Sequence, residues 1–263
     1  MVQTVWMMTG AEERQLISAA DMLLDARRTN TPIADLPADV RPTTLEEAYF
    51  IQDRLAWAYN DIGGWKVGAA SADATPMFAP MPLAWMSRSG CEMRGLTHRF
   101  RGLEAEIAFL IGEDLPPREI AYTREEVVAA IASCHPAIEV IETGLIDPLQ
   151  TTRLTMIADL QIHGGFVHGD AVPDWQSIDF TRERVALAVD GAVRIERTGS
   201  NTSGDLVGLL PWLANEGAAR TGGLKKGDWI TTGSWTGLTQ ASAGSSVQVE
   251  FSTAGKVNLR FGR

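Results

Sequence analysis

Apolar residues recur at helical spacing in the first part of the chain and at strand spacing through the rest. Thr9 followed by Glu12 has the form of a capping box, and "LISAADMLLDA" continues it with apolar positions three and four apart. The loop "NTPIADLPADVRP" ends that helix. Thr44 and Glu47 open a second, "LEEAYFIQDRLAWAYN", whose Leu45, Ala48, Tyr49, Ile51 and Leu55 share one face, so helix is expected to about Asn60. After Gly63 and Gly64 the period shortens. "WKVGAA" and Glu104–Ile111 predict strands, separated by the proline-rich "ATPMFAPMPLAWM", expected as a loop folded over something. Thr123 and Glu126 cap a helix, "REEVVAAIASC", that should stop before Pro136, leaving His135 at a helix end. "AIEVIET" is a strand, "VALAVDGAVRIER" a hairpin turning on Asp190-Gly191, and "SGDLVGLLPWLANEGAAR" a helix whose Pro211 either sits near the first turn or kinks it. "GDWITTGSW", "SVQVEF" and "KVNLRF" close the chain as strands. The pattern predicts an α+β protein: an N-terminal helical region over 1–62, then a β-rich, mostly antiparallel catalytic domain over 63–263 carrying one or two helices.

Composition narrows the function. The chain has 263 residues and a formal net charge of -10, with no basic run, which argues against nucleic acid and anionic membrane as partners. The two cysteines, Cys91 and Cys134, make no disulfide framework and read as reduced thiols. The opening residues lack the basic and apolar regions of a signal peptide, so a cytoplasmic location is expected. There is no G-x-S-x-G, no P-loop, no strand followed by G-x-G-x-x-G and no zinc spacing among the His and Cys residues.

What remains is a set of carboxylates in apolar company. In "LEAEIAFLIGEDLP", Glu104 and Glu106 are two apart on a predicted strand and therefore project to one face. With 33 acidic residues in the chain, roughly four acidic-x-acidic pairs arise by chance, so the spacing alone is weak. The unalternating "IAFLI" that follows, however, reads as a strand covered on both sides. A third carboxylate, Glu139, lies in the apolar run "PAIEVIE". Three such carboxylates suit a hard divalent cation, Mg²⁺ or Mn²⁺, with positions left for the carboxylate and keto oxygens of a 2-keto acid. That assembly is net negative and calls for a cation, for which Lys66 in "GGWKVGAA" is placed; an ordinary surface lysine is the alternative. The loop "TTGSWTGLTQASAG" has N–H groups and hydroxyls suited to a carboxylate or enolate oxygen, or is a plain connection. His163 and His168 flank "GGFV" and read more readily as packed than as catalytic; His98 reads as exposed.

Taken in order, "EEAYFIQ", "WKVG", "LEAEIAFLIGEDLP", "PAIEVIE", "LPWLANEG" and "LKKGDWITTGSWTG" resemble the fumarylacetoacetate hydrolase superfamily, within it the branch of 2-keto-4-pentenoate hydratases and 4-oxalocrotonate decarboxylases. The resemblance runs from about Leu45 to Gly237. It implies the family's C-terminal-type β-sandwich or roll with an N-terminal helical extension, assembled into homo-oligomers. It also implies Glu104, Glu106 and Glu139 as ligands of Mg²⁺ or Mn²⁺, with Lys66 and Ser234 facing a small anionic 2-keto acid. Where hydratases of this branch carry a D-N-x-S-like stretch, this chain reads "ADLQIHGG": Asp159 matches, whereas Leu160 and Ile162 replace Asn and Ser. The segment between "KVG" and "FAPM" is also shorter. Asp159 is thus expected to bind substrate, and His163 to replace a lost polar contact.

The expected activity is a metal-dependent hydratase, a carbon-oxygen lyase, adding water to a 2-hydroxy-2,4-dienoate or 2-keto-enoate of aromatic catabolism. Glu47 is the candidate general acid/base, its capping role being the equal alternative. Two other outcomes stay open on the same site: decarboxylation of a vinylogous 2-keto diacid, with Arg153 or Arg88 meeting the second carboxylate, and C–C hydrolysis of an acylpyruvate. A non-catalytic partner subunit is the remaining alternative.

Overall fold

The computed structural model describes residues 9–93 and 98–263. The reading of the opening residues as leaderless falls largely outside them. The backbone clusters into two units: one takes the chain up to Asn60 together with Thr143–Ile162, the other Asp61–Glu142 and His163–Arg263. The segment 143–162, which sequence grouped with the β-rich part, therefore belongs with the helices.

In the helical unit, α1 (Gly10–Thr29) and α2 (Leu45–Trp57) both begin at the expected capping boxes, on Thr9 and Thr44. α2 stops at Trp57, short of Asn60. Leu16, Leu23, Ile51, Leu55 and Ile157 are buried, and Gln52 Nε2 donates to the Ile157 carbonyl at 2.8 Å, tying α2 to the short helix Arg153–Ala158. That helix runs into three successive left-handed residues, Leu160, Gln161 and Ile162, with φ of 53°, 48° and 57°. Each costs an L-residue roughly 1–2 kcal/mol. The Ile162 N–H closes the turn on the Asp159 carbonyl at 2.8 Å.

Among the described residues, the β-rich unit holds thirteen strands. They are β1 (Ile62–Gly68), β2 (Met77–Pro82), β3 (Met86–Arg88), β4 (Cys91–Met93), β5 (Gly102–Ile111), β6 (Ile131–Ile141), β7 (His163–His168) and β8 (Arg184–Val189). β9 (Ala192–Thr198), β10 (Trp229–Thr231), β11 (Thr239–Gln240), β12 (Ser246–Phe251) and β13 (Gly255–Phe261) complete the set. One open sheet runs β2-β1-β10-β5-β6-β7-β3, with β11 also on β5; the other runs β4-β13-β12-β8-β9. Pairings β1–β10, β3–β7 and β4–β13 are parallel and the others antiparallel, so both sheets are mixed. β12 and β13 pack against β6, and the core lies between.

Three expectations change. The proline-rich "MFAPMP" is a strand, β2, because it pairs on one side with β1 and leaves the other edge free, where a missing N–H costs nothing. The helix after Thr123 ends at Ala129, and "IASCHP" joins β6: its apolar residues pair with β5, Cys134 opposite Phe109 and Pro136 opposite Ile107. His135 is consequently a mid-strand residue, not a helix terminus. The helix read around Pro211 is broken into Leu209–Trp212, a wider turn over Leu213–Gly217 and a tighter one over Ala218–Thr221. The Asp190-Gly191 hairpin and the strands either side of Thr253–Ala254 form as expected.

Candidate metal centre

The pairing of β5 with β6 builds the site. Glu104 lies directly opposite Glu139, and Glu106 opposite Ala137, so all three carboxylates share one face of the sheet. Each offers an oxygen within 4.8 Å of the others'. Glu106 and Glu139 are buried. Two glutamates directly opposite in a sheet repel, and burial magnifies the cost.

Part of the compensation comes from β1. Pairing through β10 brings Lys66 to the same face, and its Nζ reaches Glu139 Oε1 at 2.6 Å. Burial would lower the lysine's pKa, but Glu139, Glu104 and Glu106 outweigh it and raise it, so Lys66 is an ammonium. Burial likewise opposes the charge on Glu139, yet Lys66 and His163 hold that carboxyl down at about 2. Its neighbours go the other way. Glu104 is pushed up to about 7, first by burial and then by the charge of Glu139, against the pull of Lys66 and a hydrogen bond from Ser234. Burial, Glu139 and Glu104 together raise Glu106. One lysine does not satisfy three carboxylates.

The hydrogen bonds leave a consistent remainder. Glu106 Oε2 accepts from the Thr231 hydroxyl and from the Gly233 N–H at 3.0 Å. Glu139 Oε1 accepts from Lys66 and, at 2.8 Å, from His163 Nδ1, which must carry the hydrogen because a carboxylate can only accept. Glu139 Oε2 is buried with no hydrogen-bond partner among the described residues. A bare, buried carboxylate oxygen is expensive, and two further carboxylates beside it exclude a second acceptor's company as the remedy. An oxygen-only donor set of this kind fits a hard divalent cation.

The residues expected at the site divide. Lys66, Ser234, Glu104, Glu106 and Glu139 come together. Asp159 does not serve a ligand: it is fully buried in the helical unit, where one oxygen accepts from Arg27 Nε and the other from Thr143 Oγ1 at 2.6 Å and Gly144 N at 3.0 Å. Its carboxylate is used up in holding that unit together. Glu47 Oε2 accepts from Thr43 N at 2.6 Å, Thr43 Oγ1 at 2.9 Å and Thr44 N at 3.2 Å, so capping is its role. His163 contacts a carboxylate of the protein instead of standing in for a substrate contact. Arg88 pairs with Asp170 at the surface. The "TTGS" loop does bind a carboxylate, but that of Glu106. Cys91 and Cys134 are free, and burial pushes the Cys134 thiol up to about 12, far from a nucleophile. His98 is half-buried, not exposed.

Sequence reading missed Thr231 and Gly233 as carriers of Glu106 and Trp85 as the ring stacked on His163, at 6.0 Å between centroids and 29° between planes. The first pair had a signal, the Gly- and Thr-rich loop. Trp85 had none, since nothing local ties β3's approach to β7.

An open two-sheet β fold bearing an all-carboxylate cluster beside a buried ammonium is the class of protein defined here. The family model for the fumarylacetoacetate hydrolase C-terminal domain matches residues 88–261, and the chain belongs to that family. A 2-hydroxyhexa-2,4-dienoate hydratase of Comamonas testosteroni is 25% identical over 255 residues, covering 91% of this chain and 94% of its own. A 4-oxalocrotonate decarboxylase of Pseudomonas putida is 25% identical over 262 residues, covering 94% and 97%. A solved structure of 4-oxalocrotonate decarboxylase from Pseudomonas putida G7, complexed with magnesium and adipate, superposes with a TM-score of 0.81 at 22% identity over 94% of this chain and 97% of that one, a likeness of fold. Among the described residues no helix is long and apolar enough to cross a membrane.

Proposed function

We propose that this chain is a divalent-metal-dependent hydratase, a carbon-oxygen lyase acting on a 2-hydroxy-2,4-dienoate or 2-keto-enoate of the kind produced by aromatic ring cleavage. The observation that carries the reading is the cluster of Glu104, Glu106 and Glu139 with a bare Oε2 on Glu139. Full-length similarity to a dienoate hydratase supports the choice of reaction. Mg²⁺ or Mn²⁺ held by the three glutamates would supply Lewis-acid polarisation and a template for the carboxylate and 2-oxygen of the substrate.

The chain's own residues do the rest. Lys66, kept as an ammonium by its surroundings, offers a cationic N–H to the substrate carboxylate or to the oxygen that gains charge as an enolate forms; it is a donor and not a base. Ser234 lies beside Glu104 and presents a hydroxyl to the same region. Thr231 and Gly233 fix Glu106 so that it does not turn away. The test is turnover of a 2-hydroxy-2,4-dienoate, followed by loss of its absorbance, in protein loaded with Mg²⁺. Glu106→Ala and Glu139→Ala should abolish metal-dependent turnover in protein that remains folded; activity retained in either overturns the reading.

The full-length similarity to a 4-oxalocrotonate decarboxylase supports a second reading, loss of CO₂ from a vinylogous 2-keto diacid on the same residues. Release of CO₂ from the diacid, with no consumption of the monoacid dienoate, would select it.

A further inference from the structure

The register of β6 with β7 contains one irregularity. Val140 lies opposite Gly165 and Ile141 opposite His163, so Gly164 is an extra residue in β7. Side chains alternate along a strand, and a shift of one residue sends every later side chain to the other face. In regular pairing Gly164 would lie opposite Ile141, and His163 would turn to the face away from Glu139. The bulge places His163 opposite Ile141, which is two residues from Glu139 and on its face. Only glycine fits at the bulge: a Cβ on Gly164 would stand 2.1 Å from Glu142 Cβ and 2.8 Å from its backbone nitrogen.

The ring so delivered is fixed. His163 is fully buried, stacks on Trp85 and donates through Nδ1 to Glu139 Oε1 at 2.8 Å. Lys66 shares that same oxygen. The two donors differ in kind. Lys66 hangs on a flexible four-carbon stem and, on the function proposed above, turns to an anionic substrate; His163 is a stacked ring that has nowhere to go.

We propose that His163 is a positioning residue for Glu139: the glycine bulge in β7 aims it, and it holds Oε1 so that Oε2 stays presented to the cation when Lys66 turns to the substrate. The inference rests on the metal-binding reading of the glutamate cluster.

Calorimetric titration of Mg²⁺ into the intact metal-free protein, alone and with oxalate as an unreactive keto-acid mimic, tests it. His163→Phe keeps a ring against Trp85 without the N–H, His163→Leu removes ring and donor together, and His163→Asn restores a short donor. The donorless variants should lose on the order of 10–100-fold in Mg²⁺ affinity, the effect expected when the partner of a ligand is removed. The loss should be larger with oxalate present, and His163→Asn should recover most of it. A folded donorless variant that binds Mg²⁺ as tightly as wild type, with and without oxalate, overturns the proposal and leaves the metal centre standing. So does a variant whose metal-free melting temperature falls while its Mg²⁺ affinity is unchanged, since that is a structural role alone. Wild-type protein that binds no Mg²⁺ overturns the metal reading itself, and this inference with it.

Discussion

Replacing Lys66 by methionine removes the protein's own cation from the glutamate cluster while keeping the length and apolar stem of the side chain. Two carboxylates with oxygens within 4.8 Å of one another repel by about 3.5 kcal/mol or more at an effective dielectric of about 20. Proton uptake by Glu104 and Glu106, whose pKa values are already raised, relieves part of that repulsion. Removing one partner of a buried ion pair typically costs about 3–5 kcal/mol, and that is the expected loss for Lys66→Met in metal-free buffer. For a chain of 263 residues, an unfolding entropy of about 2.1 cal/mol/K per residue turns this into a fall in melting temperature of roughly 5–9 °C. The variant should regain more stability from Mg²⁺ than wild type does, because ion and ammonium neutralise the same charges. An ion at about 100 times its dissociation constant contributes about 2.7 kcal/mol, and more where binding is tightened by loss of the lysine. Melting curves of both proteins with and without Mg²⁺ provide the comparison. Equal metal-free stability, or equal gains from Mg²⁺, would refute the view that Lys66 and a cation serve the same three carboxylates.

Gly164→Ala should destabilise the protein by about 1–3 kcal/mol or more and weaken Mg²⁺ binding, whereas Gly165→Ala, whose new methyl meets the flexible end of Met93, should be milder; equal effects in denaturant melts would dismiss the bulge argument. Arg27→Met strands the buried Asp159 carboxylate and should cost about 3–5 kcal/mol in urea unfolding, part of it recovered in Arg27→Met/Asp159→Asn, whose neutral amide keeps an acceptor for Thr143 and Gly144; no recovery would count against the unpaired charge as the cause. Burial, aided by nearby His168, lowers the pKa of His135. The folded state then binds fewer protons there than the unfolded chain, so this contribution is complete above the unfolded value of about 6.5 and is lost as pH falls below it. Wild type should therefore lose more stability than His135→Gln between pH ~7 and pH ~5, and equal losses would show that His135 carries none of the pH dependence.

The local rules of the chain carried the helix starts, the hairpin and the shared face of Glu104 and Glu106. Thr9, Thr44 and Thr123 cap helices because the threonine hydroxyl accepts from the N–H of the glutamate three residues on and that glutamate's carboxylate accepts from the threonine N–H, with no help from distant residues. Glu104 and Glu106 were legible as a same-face pair for the similar reason that alternation is local. What the sequence hid depends on partners far along the chain. "IASCHP" reads as the end of a helix until β5 is beside it, and "MFAPMP" as a loop until one edge is paired. Asp159 and His163 sit four residues apart, yet one serves Arg27 and the other Glu139. The three left-handed residues before His163 and the bulge after it change the direction of the chain twice, and neither has a residue signature that alternation or helical spacing can detect.

The trio of glutamates is drawn from 36 consecutive positions and needs one antiparallel ladder to assemble it, Glu104 against Glu139 and Glu106 against Ala137. The carboxylate cluster is thereby indifferent to gentle deformation of the surrounding sheets: bending or twisting carries all three carboxylates along together. It is intolerant of slippage, since sliding β5 by one position would turn both of its glutamates to the opposite side at a stroke. Insertions and deletions along the 19-residue crossing from Gly112 to Ala130 are thus harmless to the cluster so long as the ladder re-forms in step, and fatal to it the moment it does not.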